Sequence, residues 1–145
     1  MCAAYTKYEI VPENIGNKVY DFFGSTDTWK VAISTDAPVV ATDATIADAT
    51  QISGSNGYTT GGASIGFNST RTGGTLTATA TDVTWTATGG NLGGSTTGRY
   101  FPIYDDTPTS PADPLWCHYD YGSTFTVATG ESMTVDFGAS WFTFA

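Results

Sequence analysis

Positive charge is what this 145-residue chain has least of. Five Lys+Arg stand against 14 Asp+Glu, for a formal net charge of −9. Only Arg71 and Arg99 lie beyond Lys30. A phosphate backbone demands clustered cations, so no direct nucleic-acid contact is expected. Anionic membrane surfaces are disfavoured for the same reason, and no apolar run has the length that spans a bilayer. Charged residues of both signs make up 13% of the chain, about half the usual share.

Other absences narrow the chemistry. Cys2 and Cys117 are too few for a disulfide framework. They read as two unlinked thiols, with a bridge from the N-terminus to a strand as the alternative. His118 is the one histidine, which argues against a zinc site. The nucleophile-elbow pattern GxSxG is missing. So is GxGxxG, and "GGNLGG" (89–94) runs into no helical pattern, which makes it a flexible turn instead of a phosphate cradle. The glutamates are Glu9, Glu13 and Glu131, and no pairing of carboxylates for glycoside hydrolysis emerges. Lys7 and Glu9 interrupt the apolar residues of "MCAAYTKYEIVPE", so no signal peptide is expected.

What the chain has in quantity is threonine, then glycine and alanine. Threonine fits a pleated surface and glycine punctuates turns. Hydrophobic residues reach 40% and aromatics 14%, enough for a globular interior. The composition predicts an all-β fold with hydroxyl-coated outer faces. We expect one domain over 1–145, with an N-terminal arm and short helix over 1–27 and a β-sandwich over 28–145.

Periodicity locates the elements. Tyr8, Val11, Ile15, Val19 and Phe22 recur at helical spacing, and Pro12 suits a first turn, so a short helix is expected from about Glu13 to Phe22. In "TWKVAIS", Trp29, Val31 and Ile33 oppose Lys30, Ala32 and Ser34, a strand with one buried face. Residues 38–53 read as a loop with a short strand. Asn56-Gly57 signals a turn before a strand near Ala63 to Phe67. In "TLTATATDVTWTATGG", Leu76, Ala78 and Ala80 hold one parity while Val83, Trp85 and Ala87 hold the other. One strand cannot do that without turning over, which predicts a bend near Thr81 and Asp82. Pro102 inside "GRYFPIYDD" suggests an edge strand or a bulge. About eight strands result, at a spacing typical of a β-sandwich, jelly-roll-like in arrangement.

The stretch with the most reactive side chains is "DDTPTSPADPLWCHYDYGS" (105–123). Asp105 and Asp106 are adjacent and point apart in extended chain, and no calcium-loop spacing is present. It reads as a loop that Asp106 helps to initiate, followed by a strand. His118 and Asp120 share a strand face, yet no nucleophile accompanies them, so His118 reads as structural or solvent-facing. Trp29, Trp85 and Trp141 fall at core positions. Trp116 falls opposite Leu115, Tyr119 and Tyr121, which puts large rings on a surface or an interface.

Four segments, "GSNGYTTGG" (54–62), "DVTWTATGGNLGG" (82–94), "RYFPIYDDTPTSPADPLWCHYDYGS" (99–123) and "GESMTVDF" (130–137), resemble small virion structural proteins of tailed bacteriophages. The resemblance covers most of the chain. It implies a β-sandwich that cements or decorates the capsid exterior, made in the host cytoplasm, with the major capsid protein and further copies of itself, as a dimer or trimer, for partners. A neck or tail component that adheres to the host is the alternative it leaves open, and a carbohydrate-binding module is the third reading. No enzyme activity, cofactor or metal is implied. The candidate interface residues are Tyr5, Tyr8, Val11, Ile15, Val19 and Phe22 of the N-terminal segment, with Trp116.

Overall fold

Alternation of apolar and small polar residues decides most of this chain, and it yields strands. The computed structural model describes residues 5–22 and 26–145. Ten strands and a short helix occur among them: β1 (Thr6–Lys7), α1 (Val11–Gly16), β2 (Trp29–Val31), β3 (Ala63–Ile65), β4 (Phe67–Thr72), β5 (Thr75–Ala80), β6 (Val83–Thr86), β7 (Gly98–Asp105), β8 (Leu115–Phe125), β9 (Ser132–Val135) and β10 (Phe142–Phe144). Strands account for 41% of the residues and helix for 7%. All pairing is antiparallel.

The strands form three sheets, ordered β1-β8-β7-β2-β3, β10-β5-β4 and β6-β9. That division into five, three and two differs from the two four-stranded sheets of a jelly roll. The five-stranded sheet packs against the three-stranded one through rings. Trp29 lies 5.6 Å from Phe67, and Trp116 lies 5.1 Å from Phe142. Phe22 and Trp141 join the same cluster. Each such ring removed from water contributes roughly 2–3 kcal/mol.

The parity change at Asp82 has a direct structural counterpart. Leu76 and Ala78 of β5 are buried, as are Val83 and Trp85 of β6. Between them the chain leaves the three-stranded sheet for the two-stranded one. Asp82 fixes the bend by accepting the Phe137 N–H at 2.9 Å. Threonines line the outer faces, where Thr84 pairs with Thr134 at 2.7 Å and Thr86 with Ser132 at 2.8 Å across β6 and β9. Asn56 and Gly57 both take positive φ, 54° and 103°, in the expected turn.

Two expectations change, and a third is narrowed to one of its alternatives. The helix stops at Gly16, because Asn17 caps it and Lys18 turns left-handed at φ 57°. Val19 and Phe22 therefore continue the apolar spacing without the helix, and Tyr20 swings inward. A six-residue helix has little stability of its own, and Asn14 and Tyr20 pin it by side-chain hydrogen bonds. Next, just past the end of β2 the chain buries both parities: Ala32 and Ser34 are as enclosed as Trp29 and Val31, while Lys30 within β2 is half-buried. Ser34 bridges to Gln51 and Tyr100, so a loop covers the outer face there. Of the two alternatives for Pro102, an edge strand or a bulge, the second holds: Pro102 sits in an interior strand, β7, beside a register shift at Ile103/Tyr104. The ladder tolerates it beside that irregularity.

Candidate functional site

The acidic stretch 105–123 spans the end of β7, a loop and most of β8. Asp105 is fully buried. Its Oδ1 accepts the Thr107 N–H at 3.0 Å, so Asp105 initiates the turn expected of Asp106. Burial first, and then a hydrogen bond that the protonated Asp105 carboxyl shares with Asp27, push that carboxyl up to about 8. Asp106 instead pairs with Lys30 at 2.7 Å on the neighbouring strand. Asp113, at φ 50°, is raised by burial and by Asp106, with Lys30 opposing. These groups tie the segment before β2 to the end of β7, as does the Thr28 N–H donating to Thr107 Oγ1 at 2.7 Å. No group of three or more His, Cys, Asp or Glu among the described residues is arranged to hold a metal ion.

His118 lies on the outer face of the five-stranded sheet between Tyr8 at 5.4 Å and Tyr100 at 6.2 Å. It is buried, and its Nδ1 has no hydrogen-bond partner among the described residues; the Tyr8 hydroxyl shares that condition. Burial lowers the His118 pKa, while Asp120 and Asp43 pull it back. Asp120 is committed elsewhere, to a bidentate pair with Arg99 at 2.9 and 3.0 Å. That pair holds the Asp120 carboxyl below the usual range. Asp43 and Asp48 close their own loop, accepting the N–H groups of Val39 at 2.7 Å and Thr45 at 2.9 Å. The carboxylates of this set accept from backbone N–H groups and from Arg99.

The candidate interface residues divide sharply by burial. Tyr8 and Val11 are wholly enclosed and Trp116 is 2% exposed, so all three are packing side chains of the core. Trp116 reaches the core despite its parity because β8 is bulged there. Ile103 pairs with Cys117 and Tyr104 with Leu115, leaving Trp116 unmatched. Its ring then meets Phe22, Trp29 and Phe142. Tyr5 and Val19 are half-buried against the core. Cys117 is a free, fully buried thiol whose pKa burial raises, and Cys2 lies outside the described residues.

Ile15 and Phe22 border a groove at the surface. With Leu76, Phe144 and Arg71 they line a shallow groove of about 450 Å³ beside the three-stranded sheet. Ile15 is 40% exposed and Phe144 41%. Leu76, Arg71 and Phe144 were not legible as interface residues, because only the β10–β5–β4 pairing brings them beside the helix. A second, smaller cavity opens between β8 and β9, beside the exposed ring of Tyr121. Gly122 inside β8 was its sequence signal. No helix among the described residues is long and apolar enough to cross a membrane. No protein-family model, no curated protein and no solved structure matches the chain.

Proposed function

We propose that this protein acts by adhesion, as a cement or decoration protein that binds and stabilises the exterior of an assembled bacteriophage capsid. The observation that carries the proposal is the groove of Ile15, Phe22, Leu76 and Phe144, with Arg71 at its side, on a chain with few charged side chains and many threonines. Such a patch on a ring-packed β scaffold suits a rigid contact, because few long side chains lose freedom on docking. A protein that binds only the assembled shell stabilises that state by mass action. The net charge of −9 favours an outward position, away from packaged DNA.

The test is co-sedimentation of the purified protein with capsids, together with gold labelling of intact particles. Label over the whole head, lost in Ile15→Asp and Phe144→Asp variants that retain the wild-type unfolding midpoint, supports decoration through the groove. Label at one vertex or along the tail would move the protein to the neck or tail. A dimer or trimer in solution that the same substitutions dissociate, without capsid binding, would make the groove a self-association face only.

A further inference from the structure

Strand β8 carries an irregularity that aims an aromatic ring out of the sheet. Against β7, Asp120 pairs with Tyr100 and Phe125 with Gly98. Five residue steps on β8 thus oppose two on β7, and the surplus must bulge. Gly122 takes φ 91° in that bulge, a conformation open to glycine without steric cost. Its N–H donates to Asp120 Oδ1 at 2.8 Å. Tyr121 is left 48% exposed, its ring held edge-on by Phe125 at 5.1 Å. Phe125 in turn stacks on Phe101 at 5.6 Å. Bulges of this kind re-aim side chains beside functional sites.

The aimed ring borders a cavity of about 140 Å³ where the five-stranded and two-stranded sheets meet. Buried Phe101, Tyr119 and Val135 line its apolar part. Thr134 and Asp136 line it from β9 and the residue that follows. Asp120 also borders it, with its charge already matched by Arg99.

We propose that this cleft binds one ring of a saccharide. The electron-rich face of Tyr121 suits the C–H face of a pyranose. A carboxylate oxygen accepts more than one hydrogen bond, so Asp120 Oδ2, which already accepts from Arg99, and Asp136, which already accepts the Gly138 N–H at 2.7 Å, can each also accept from a sugar hydroxyl. Arg99 matches the charge of Asp120 from outside the cleft lining, so a neutral polyol suits the site better than a simple cation. The cavity is smaller than the range that encloses a drug-sized molecule, which limits the ligand to a single ring. This site lies on other strands than the apolar groove, so it stands whether or not the protein decorates a capsid.

Saturation-transfer NMR on the full chain, with the methyl glycosides of glucose, galactose and N-acetylglucosamine as probes, tests the proposal. At least one glycoside should receive magnetisation and shift the Tyr121 ring resonances. Tyr121→Ala should weaken binding about tenfold or more, Tyr121→Trp should retain it, and both should keep the wild-type unfolding midpoint. Absence of transfer to all three glycosides would overturn the proposal. So would transfer unchanged in Tyr121→Ala, or shifts in the wild-type protein that map away from Tyr121 and Asp136. Perturbation of the Tyr121 ring by tetramethylammonium alone would reassign the cleft to cations.

Discussion

The Tyr20 hydroxyl donates to the Leu115 carbonyl at 2.7 Å and accepts from the Asn14 amide at 3.0 Å. Tyr20 and Leu115 are 95 positions apart in the chain. The one bond therefore fastens the N-terminal segment to the first residue of β8. Both partners are buried, and water does not replace a lost bond there. Tyr20→Phe should destabilise the fold by about 2 kcal/mol, because it strands a buried amide and a buried carbonyl. Urea unfolding monitored by tryptophan fluorescence measures the loss. An effect below about 0.5 kcal/mol would mean that the segment is held by ring packing alone.

Trp116 distinguishes a binding residue from a structural one. Its indole contacts Trp29, Phe22, Phe142 and Phe144. Trp116→Ala should cost about 3–5 kcal/mol through lost burial and the cavity left behind. The thermal midpoint should fall accordingly, in the absence of any ligand. A variant with the wild-type midpoint would place the ring at the surface after all.

Reading the chain by periodicity recovers what is local. Leu76 and Ala78 against Val83 and Trp85 revealed the bend at Asp82, because a reversal of parity is written in consecutive residues. Asn56-Gly57 marked its turn for the same reason. Trp29, Trp85 and Trp141 fell correctly in the core. Pairing is not local, and the errors lie there. Trp116 seemed to face outward because the bulge that turns it inward depends on the register between β7 and β8. Ala32 and Ser34 seemed exposed because the loop that covers them arrives from residues 50 and 51. The helix seemed longer because Tyr8, Val11, Ile15, Val19 and Phe22 keep helical spacing, while the stop at Lys18 is a backbone event that the apolar pattern does not record. The carboxyl pair of Asp27 and Asp105 joins segments that no motif connects.

That carboxyl pair gives the stability a pH dependence of definite sign. Burial first, and Asp27 second, raise the Asp105 pKa to about 8. An unfolded aspartate titrates near pH 4 (about 3.9). Between those values the folded state holds a proton that the unfolded state has released. Stability from this group is therefore complete below about pH 4 and is lost as the pH rises to about 8. The slope is at most about 1.4 kcal/mol per pH unit. Asp105→Asn keeps the neutral shape and removes the titration. Its unfolding free energy should decline less than that of the wild type between pH 5 and pH 8, roughly the window those two values set. Parallel profiles for the two proteins would show that Asp105 is ionised in the fold.

His118 acts in the opposite direction. Burial lowers its pKa below 6.5, and Asp120 and Asp43 only partly restore it. Tyr8 and Tyr100 face it as rings. At pH values just below 6.5 the unfolded chain binds a proton that the folded chain refuses. Stability from His118 is thus present above its unfolded pKa and is lost as the pH falls through the folded one. His118 is the one histidine of the chain, so its ring C–H resonances are identified without assignment. An NMR titration should give a midpoint below 6.5, and the β1 amides that pair with β8 at Thr6 and Lys7 should exchange faster once the ring is charged. A midpoint above 6.5 would mean that the carboxylates outweigh burial, and that acid tightens the N-terminal strand instead of loosening it.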